Sequence, residues 1–234
     1  MSNLVLIPTY NEAENIPGLV NAISSLSTPF DILVIDDNSP DGTASLVKEM
    51  MPSFPNLHIL ERPSKSGLGR AYIAGFDWAL QRDYKYICEM DADFSHDPDD
   101  LVRLWDACEN GGADLAIGSR YISGVNVVNW PMGRVLMSYI ASMYVRIITG
   151  MKIMDTTAGF KCYRRDVLMN INPGHIRLVG YGFQIEMKFT AWKLGYKIVE
   201  VPIIFTDRRA GTSKMSGGIF GEAMWGVLRM KISS

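Results

Sequence analysis

Short apolar runs recur along roughly the first half of the chain, each followed by a segment long enough for a helix. Leu4–Ile7, Ile32–Ile35, Leu57–Leu60, Tyr86–Met90 and Leu115–Gly118 read as strands, being brief, mostly apolar and bounded by turn residues. Glu14–Leu26, Asp41 to about Met51, Leu68–Gln81 and Leu101–Asn110 read as the intervening helices, with Asp41 in the turn Pro40-Asp41-Gly42 as a cap. Strands separated by helices of this length pair in parallel through right-handed crossovers. The expected fold class is therefore α/β, a Rossmann-like, mostly parallel sheet flanked by helices.

The pattern changes after about residue 120. Pro131–Gly150 is apolar and methionine-rich with basic punctuation, Gly180–Leu194 reads as a helix and Lys197–Phe205 as a strand. Asp207–Ser216 is a basic loop rich in small residues, and Gly218–Ile232 an amphipathic helix. With no linker in sight, the 234 residues are expected to form a single domain, 1–234. A charged fraction of 21% and a net charge of −2 exclude a disordered chain and a broad nucleic-acid footprint, so no nucleic-acid partner is expected. Cys88, Cys108 and Cys162 form neither a zinc pattern nor a disulfide framework, as in a protein of a reducing cytoplasm. No signal peptide is expected, and no apolar run of about 18 residues predicts a membrane-spanning helix.

Polar clusters follow three of the strands: Pro8-Thr9-Tyr10-Asn11-Glu12, Asp36-Asp37-Asn38-Ser39 and Asp91-Ala92-Asp93. In a parallel sheet all three meet at one crevice, where open α/β sheets place ligands. If the fourth strand continues through them, Asp91 and Asp93 lie on one side and share a target. Hard carboxylate oxygens suit magnesium or manganese holding a diphosphate. A polar turn after a strand is the plain alternative. Lys65-Ser66-Gly67-Leu68-Gly69-Arg70 adds a glycine turn that permits close backbone approach, and a helix N-terminus that favours anions. An ordinary strand-to-helix turn with solvated cations explains it equally. His58, His96 and His175 show no ligand spacing.

These blocks resemble the family 2 glycosyltransferases, enzymes of the glycosyltransferase A-type fold. Gly118-Ser119-Arg120-Tyr121, Asp155-Thr156-Thr157-Ala158-Gly159-Phe160, Gly182-Phe183-Gln184-Ile185-Glu186, Val201-Pro202, Asp207-Arg208 and Ser213-Lys214 narrow the likeness to the dolichol-phosphate (polyprenol-phosphate) mannosyltransferases. The resemblance implies a nucleotide-sugar-binding half over about 1–120 and an acceptor-binding half over about 121–234. It implies that Pro8, Tyr10, Glu12, Ile35 and Asp37 line the nucleotide pocket, with Gly67 and Arg70 beside it. Asp91, Ala92 and Asp93 would border the diphosphate, with Asp91, Asp93 and Ser95 around the metal and Asp93 its most direct ligand. Some relatives have Gln where this chain has Ser95, a weaker ligand. Gln184 and Glu186 would sit near the sugar. Arg120 and Arg134 would clamp the lipid phosphate, and Arg208 and Lys214 would reach the phosphates from the basic loop. Asp91, Asp93, Arg120, Arg208 and Lys214 would carry catalysis.

The implied reaction is inverting transfer of mannose from GDP-mannose to dolichyl or polyprenyl phosphate with Mg²⁺ or Mn²⁺. A phosphate nucleophile is already ionised and needs no strong general base, and Arg suits it through paired hydrogen bonds. A UDP-sugar donor, giving a polyprenyl-phosphate glucosyl- or N-acetylglucosaminyltransferase, stays open, as does a non-catalytic nucleotide-sugar-binding subunit. The run Asn129–Met154 mixes Trp130, Tyr139 and Tyr144 with arginines, the make-up of an interfacial segment. Peripheral docking on the cytoplasmic face of the membrane is expected, with room for a small membrane-anchoring subunit.

Overall fold

The structure, a computed structural model, describes residues 2–178, 180–207 and 225–231, with only the backbone of Tyr181. In chain order the elements are β1 (Asn3–Thr9), α1 (Ile16–Ser24), β2 (Asp31–Asp36), α2 (Thr43–Met50), β3 (Leu57–Glu61), α3 (Leu68–Leu80), β4 (Tyr86–Glu89), α4 (Asp99–Glu109) and β5 (Leu115–Ser119). There follow β6 (Val127–Val128), α5 (Met132–Thr149), β7 (Lys161–Arg164), α6 (Arg165–Ile171), α7 (Tyr181–Lys193), β8 (Ile198–Pro202) and β9 (Phe205–Thr206). Residues 225–231 are helical. A seven-stranded sheet runs β3-β2-β1-β4-β7-β5-β8, and β6 and β9 form a separate parallel pair.

The expected α/β fold is present. Strands β3, β2, β1 and β4 are parallel in register, for example Leu6 beside Leu33 and beside Glu89. Apolar residues on both faces of β1 and β2 are fully buried, as parallel strands require. One layer of core gathers Leu4, Leu6 and Leu33 with Tyr72 and Phe76 of α3 and Phe183 of α7. The other gathers Val5, Ile7 and Val34 with Ile16, Leu19 and Val20 of α1 and Leu101 and Leu104 of α4.

Three features differ from the sequence expectation. Strand β7 enters the middle of the sheet antiparallel to both β4 and β5, pairing Cys88 with Cys162 and Ala116 with Cys162. Its four residues follow a glycine loop and carry too short a pattern to read alone. The expected Lys197–Phe205 strand is two strands, broken after Pro202, which cannot donate to a ladder. Strand β4 stops at Glu89, so Asp91 and Asp93 lie in the bend beyond it. Strand alternation therefore does not set their directions.

Candidate active site

The ends of β1 and β2 are bound into one rim. Thr9 Oγ1 donates to Asp36 Oδ1 at 2.9 Å, and Asp37 N donates to Thr9 O at 3.1 Å. Asn11 N reaches Ser39 Oγ at 3.0 Å, Glu12 N reaches Thr43 Oγ1 at 3.1 Å and Ala13 N reaches Asp41 Oδ2 at 3.0 Å. Asn11 and Asn38 adopt positive φ, which asparagine tolerates and the sharp exits from the strands require. Pro8, Tyr10 and Glu12 are half-buried along this rim. Lys65 stands 4.2 Å over the Tyr10 ring, which brings the turn before α3 to the same rim. Arg62 pairs with Asp37 at 2.5 Å and also donates to Ser66. Burial pushes the Asp37 carboxyl up, with Arg62 opposing it. Ile35 is fully buried, pointing at Gly75 of α3, so only its backbone faces the rim.

Gly67 has φ +101°, which only glycine adopts readily, and it opens α3. Gly69 has another cause: a Cβ there would stand 2.8 Å from the Phe183 ring. The second glycine of the turn therefore serves the packing of α3 on α7. Arg70 is exposed one residue further on.

Beside this rim lies the bend after β4. Asp91 is half-buried, Ala92 is buried and Asp93 is 8% exposed, with Asp93 Oδ1 accepting from Ser95 N at 3.1 Å. Phe94 between them has φ +57°, a conformation costing a bulky residue about 1–2 kcal/mol. Its ring lies against Gly18, where a Cβ would come within 3.3 Å. Strain held at such a position marks a functional bend. The Ser95 hydroxyl is buried with no hydrogen-bond partner. Buried hydroxyls normally have one, and a ligand at this oxygen would satisfy it. Among the described residues no group of three His, Cys, Asp or Glu converges as a metal cage. The Asp93 carboxylate and the unpartnered Ser95 oxygen fit a hard divalent ion that takes its remaining ligands from diphosphate and water.

A buried polar network lies behind the bend. Glu89 pairs with Lys161 at 3.1 Å, both with no side-chain exposure. Gln184 donates to Glu89 Oε2 at 2.8 Å and accepts from Lys161. Lys188 donates to Ala158 O at 2.5 Å, and burial holds its ammonium pKa well below the usual value. Gln184 is thus a buried member of this network. Glu186 takes a different place: its Oε2 accepts from Arg177 N at 3.0 Å and Leu178 N at 2.8 Å, tying down the loop before α7. Nothing in the sequence marks Lys161 and Lys188 as buried, since lysines usually sit on surfaces.

The second half of the chain is joined to the bend by aromatic rings. His96 stacks on Phe160 at 4.7 Å and meets Phe205 edge-on at 5.2 Å, and Phe205 meets Trp130 at 5.2 Å. Thr206 N donates to Ser95 O at 3.1 Å. Burial lowers the His96 pKa to about 4, so the ring is neutral near neutral pH. Arg120 is 8% exposed and tied to Asp155 by Nε at 2.7 Å and Nη2 at 2.7 Å, with Nη2 also donating to Thr157 Oγ1 at 2.8 Å. The guanidinium keeps the Asp155 carboxyl below its usual range against full burial. Glu200 fixes the same loop by accepting from Met154 N at 2.7 Å and Asp155 N at 2.9 Å. Arg134 pairs with Asp207 at 3.0 Å near the surface and lies 4.0 Å over the Trp130 ring. Arg208, Lys214 and the remainder of the basic loop lie outside the described residues.

Helix α5 buries only Ser142, Val145 and Thr149. Its other side exposes Met132 at 79%, Ile147 at 73%, and Leu136, Met137, Ile140 and Met143 at over two-fifths each. Between Asp114 and Asp155 the chain has no acidic residue, while Arg120, Arg134, Arg146 and Lys152 are basic. Among the described residues no helix is long and apolar enough to cross a membrane.

Comparison with known proteins bears on what this arrangement does. A polyprenol monophosphomannose synthase of Mycolicibacterium smegmatis is 49% identical over 230 residues, 96% of this chain and 86% of the relative. An undecaprenyl-phosphate mannosyltransferase of Micrococcus luteus is 47% identical over 234 residues, 100% of this chain and 96% of the relative. Among solved structures, glucosyl-3-phosphoglycerate synthase of Mycobacterium tuberculosis, in complex with Mn²⁺, UDP and phosphoglyceric acid, superposes with a TM-score of 0.74 at 17% identity. That match covers 98% of this chain and 78% of the other, and shows that the fold is shared. Residues 4–171, from the first strand through α6, match the description Glycosyl transferase family 2, and the chain belongs to that family.

Proposed function

We propose that this protein transfers mannose from GDP-mannose to a dolichyl or polyprenyl phosphate, with inversion, at a membrane surface. The observation that carries the reading is the pair of relatives named for mannosyl transfer to polyprenol and undecaprenyl phosphate, similar over nearly the whole chain. The site supports it. The rim of Pro8, Tyr10, Glu12 and Asp37 holds the nucleotide, with the Asp37–Arg62 pair at its edge. Asp91, Ala92 and Asp93 border the diphosphate. Asp93, with Asp91 and Ser95, would hold Mg²⁺ or Mn²⁺, which supplies charge neutralisation to the leaving nucleoside diphosphate.

A lipid-phosphate oxygen attacks the anomeric carbon as the bond to the donor β-phosphate breaks. The nucleophile is an anion already, so the chain supplies no strong base and instead positions two phosphates against each other. Arg134 is the adaptable half of the acceptor clamp, because its surface pair with Asp207 is weak enough to yield to a dianion. Arg120 is the fixed half, its plane set by buried Asp155. Arg208 and Lys214 complete the charge balance. Apolar, acid-free α5 faces the anionic cytoplasmic leaflet, and a small membrane-anchoring subunit could share that face. Attraction to anionic lipid is worth about 1 kcal/mol per basic residue near the surface.

The test is metal dependence coupled to two variants. Asp93→Ala and chelation of wild type should each abolish transfer of label into the lipid extract. Arg134→Ala should raise the acceptor KM with little change in donor affinity, losing charge-assisted bonds worth about 1.5–3 kcal/mol. Full activity in EDTA with no residual metal would sink the metal assignment, and loss of GDP binding in Arg134→Ala would move that residue to the donor side.

A further inference from the structure

We infer that Trp130 is a positioning residue for the acceptor phosphate: its indole ring holds the Arg120 and Arg134 guanidiniums together as one anion clamp. This rests on the proposed lipid-phosphate acceptor. The sequence places Trp130 in an interfacial segment, where a membrane anchor would expose its ring. The structure half-buries it, with Phe205 meeting it edge-on at 5.2 Å. Both guanidiniums approach the same ring, Arg134 at 4.0 Å and Arg120 at 5.5 Å from its centroid, with Tyr121 at 5.2 Å and Phe205 at 5.6 Å also beside Arg120. Two like charges near each other repel, and an indole face, the best of the aromatic faces for cations, offsets that repulsion.

The counter-charges are unequal. Asp155 is fully buried and grips Arg120 by two nitrogens, whereas Asp207 meets Arg134 at 3.0 Å with a third of its side chain exposed. If a phosphate monoester displaces Asp207, Arg134 still needs something to hold its guanidinium in place. The ring does this. The contacts to Trp130 are made with its ring, so a smaller aromatic ring should substitute.

The experiment compares wild type, Trp130→Leu, Trp130→Met, Trp130→Phe and Arg134→Ala with GDP-mannose as donor. Two acceptors are used: a short, water-soluble polyprenyl phosphate and a long-chain one in anionic vesicles. Trp130→Leu should raise KM for both acceptors by about tenfold, with donor KM within about twofold and vesicle co-sedimentation unchanged. Trp130→Phe should return acceptor KM to within about threefold of wild type. A Trp130→Leu protein with normal short-chain KM overturns the inference, and loss of vesicle binding with a defect on the long chain alone reassigns Trp130 to the membrane. If neither Trp130→Leu nor Trp130→Met folds, the residue belongs to the core and the inference is wrong. Arg134→Ala separates the two levels. A raised acceptor KM there, with Trp130→Leu normal, refutes the positioning role alone; an unchanged acceptor KM refutes the arginine clamp beneath it.

Discussion

Arg120 and Asp155 show how a buried partner changes what a substitution reports. Removing either leaves the other charge buried and unmatched, at a cost of roughly 3–5 kcal/mol. Arg120→Ala should therefore lower the melting temperature as well as activity, and Asp155→Asn should do the same. Calorimetry on both variants checks this, and an unshifted transition in either would show the pair to be dispensable for folding. The pH dependence has a definite sign. Asp155 has a lowered folded pKa, so the pair's contribution is complete above the ordinary Asp value near 3.9 and is lost as pH falls through the lower folded value. Glu89 and Lys161 make a second test. Lys161→Met alone should destabilise by roughly 3–5 kcal/mol, while Lys161→Met with Glu89→Leu should recover much of the loss. Denaturant unfolding of the single and double variants measures it; equal losses in both would mean that Gln184, and not charge pairing, dominates the network.

Helices α3 and α7 meet through Gly69 and Phe183, and the first of these was legible in the sequence only as a turn glycine. Gly69→Ala places a methyl 2.8 Å from the Phe183 ring and should cost about 1–3 kcal/mol, with partial rescue by Phe183→Leu. The alternating β1-to-β5 half was readable because its strands are short, largely apolar runs, those of β1, β2, β4 and β5 buried on both faces. Strand β7 was not, because its four residues hold a lysine and an arginine and gain their place only from long-range pairing with β4 and β5. The strand-end clusters were readable for the same reason as the strands, while Asp155's role was visible only as part of a family-like block. Helix α5 carries its own prediction. Leu136→Ser with Ile140→Ser and Ile147→Ser should reduce vesicle co-sedimentation and long-chain turnover while leaving the melting temperature nearly unchanged, since these side chains are exposed already. A large drop in thermal stability would instead show that this face packs within the protein.

Across the whole molecule, a mostly parallel sheet gathers the rim after β1 and β2 and the bend of Asp91 and Asp93 at one end. The aromatic line of His96, Phe205 and Trp130 then ties that bend to the arginines of the second half. On the proposed function, this would bring a phosphate-bearing donor and a phosphate-bearing acceptor together at one end of the sheet, beside an apolar, acid-free helix. The most direct test of the central claim is a donor comparison. Purified protein is incubated with long-chain polyprenyl phosphate, Mn²⁺ or Mg²⁺, and radiolabelled GDP-mannose, UDP-glucose or UDP-N-acetylglucosamine in parallel, and the label is followed into the organic phase. The account predicts metal-dependent lipid labelling from GDP-mannose well above either UDP-sugar, absent in Asp93→Ala. Preferential labelling from a UDP-sugar, or none from any donor in the folded, metal-loaded protein, would contradict it.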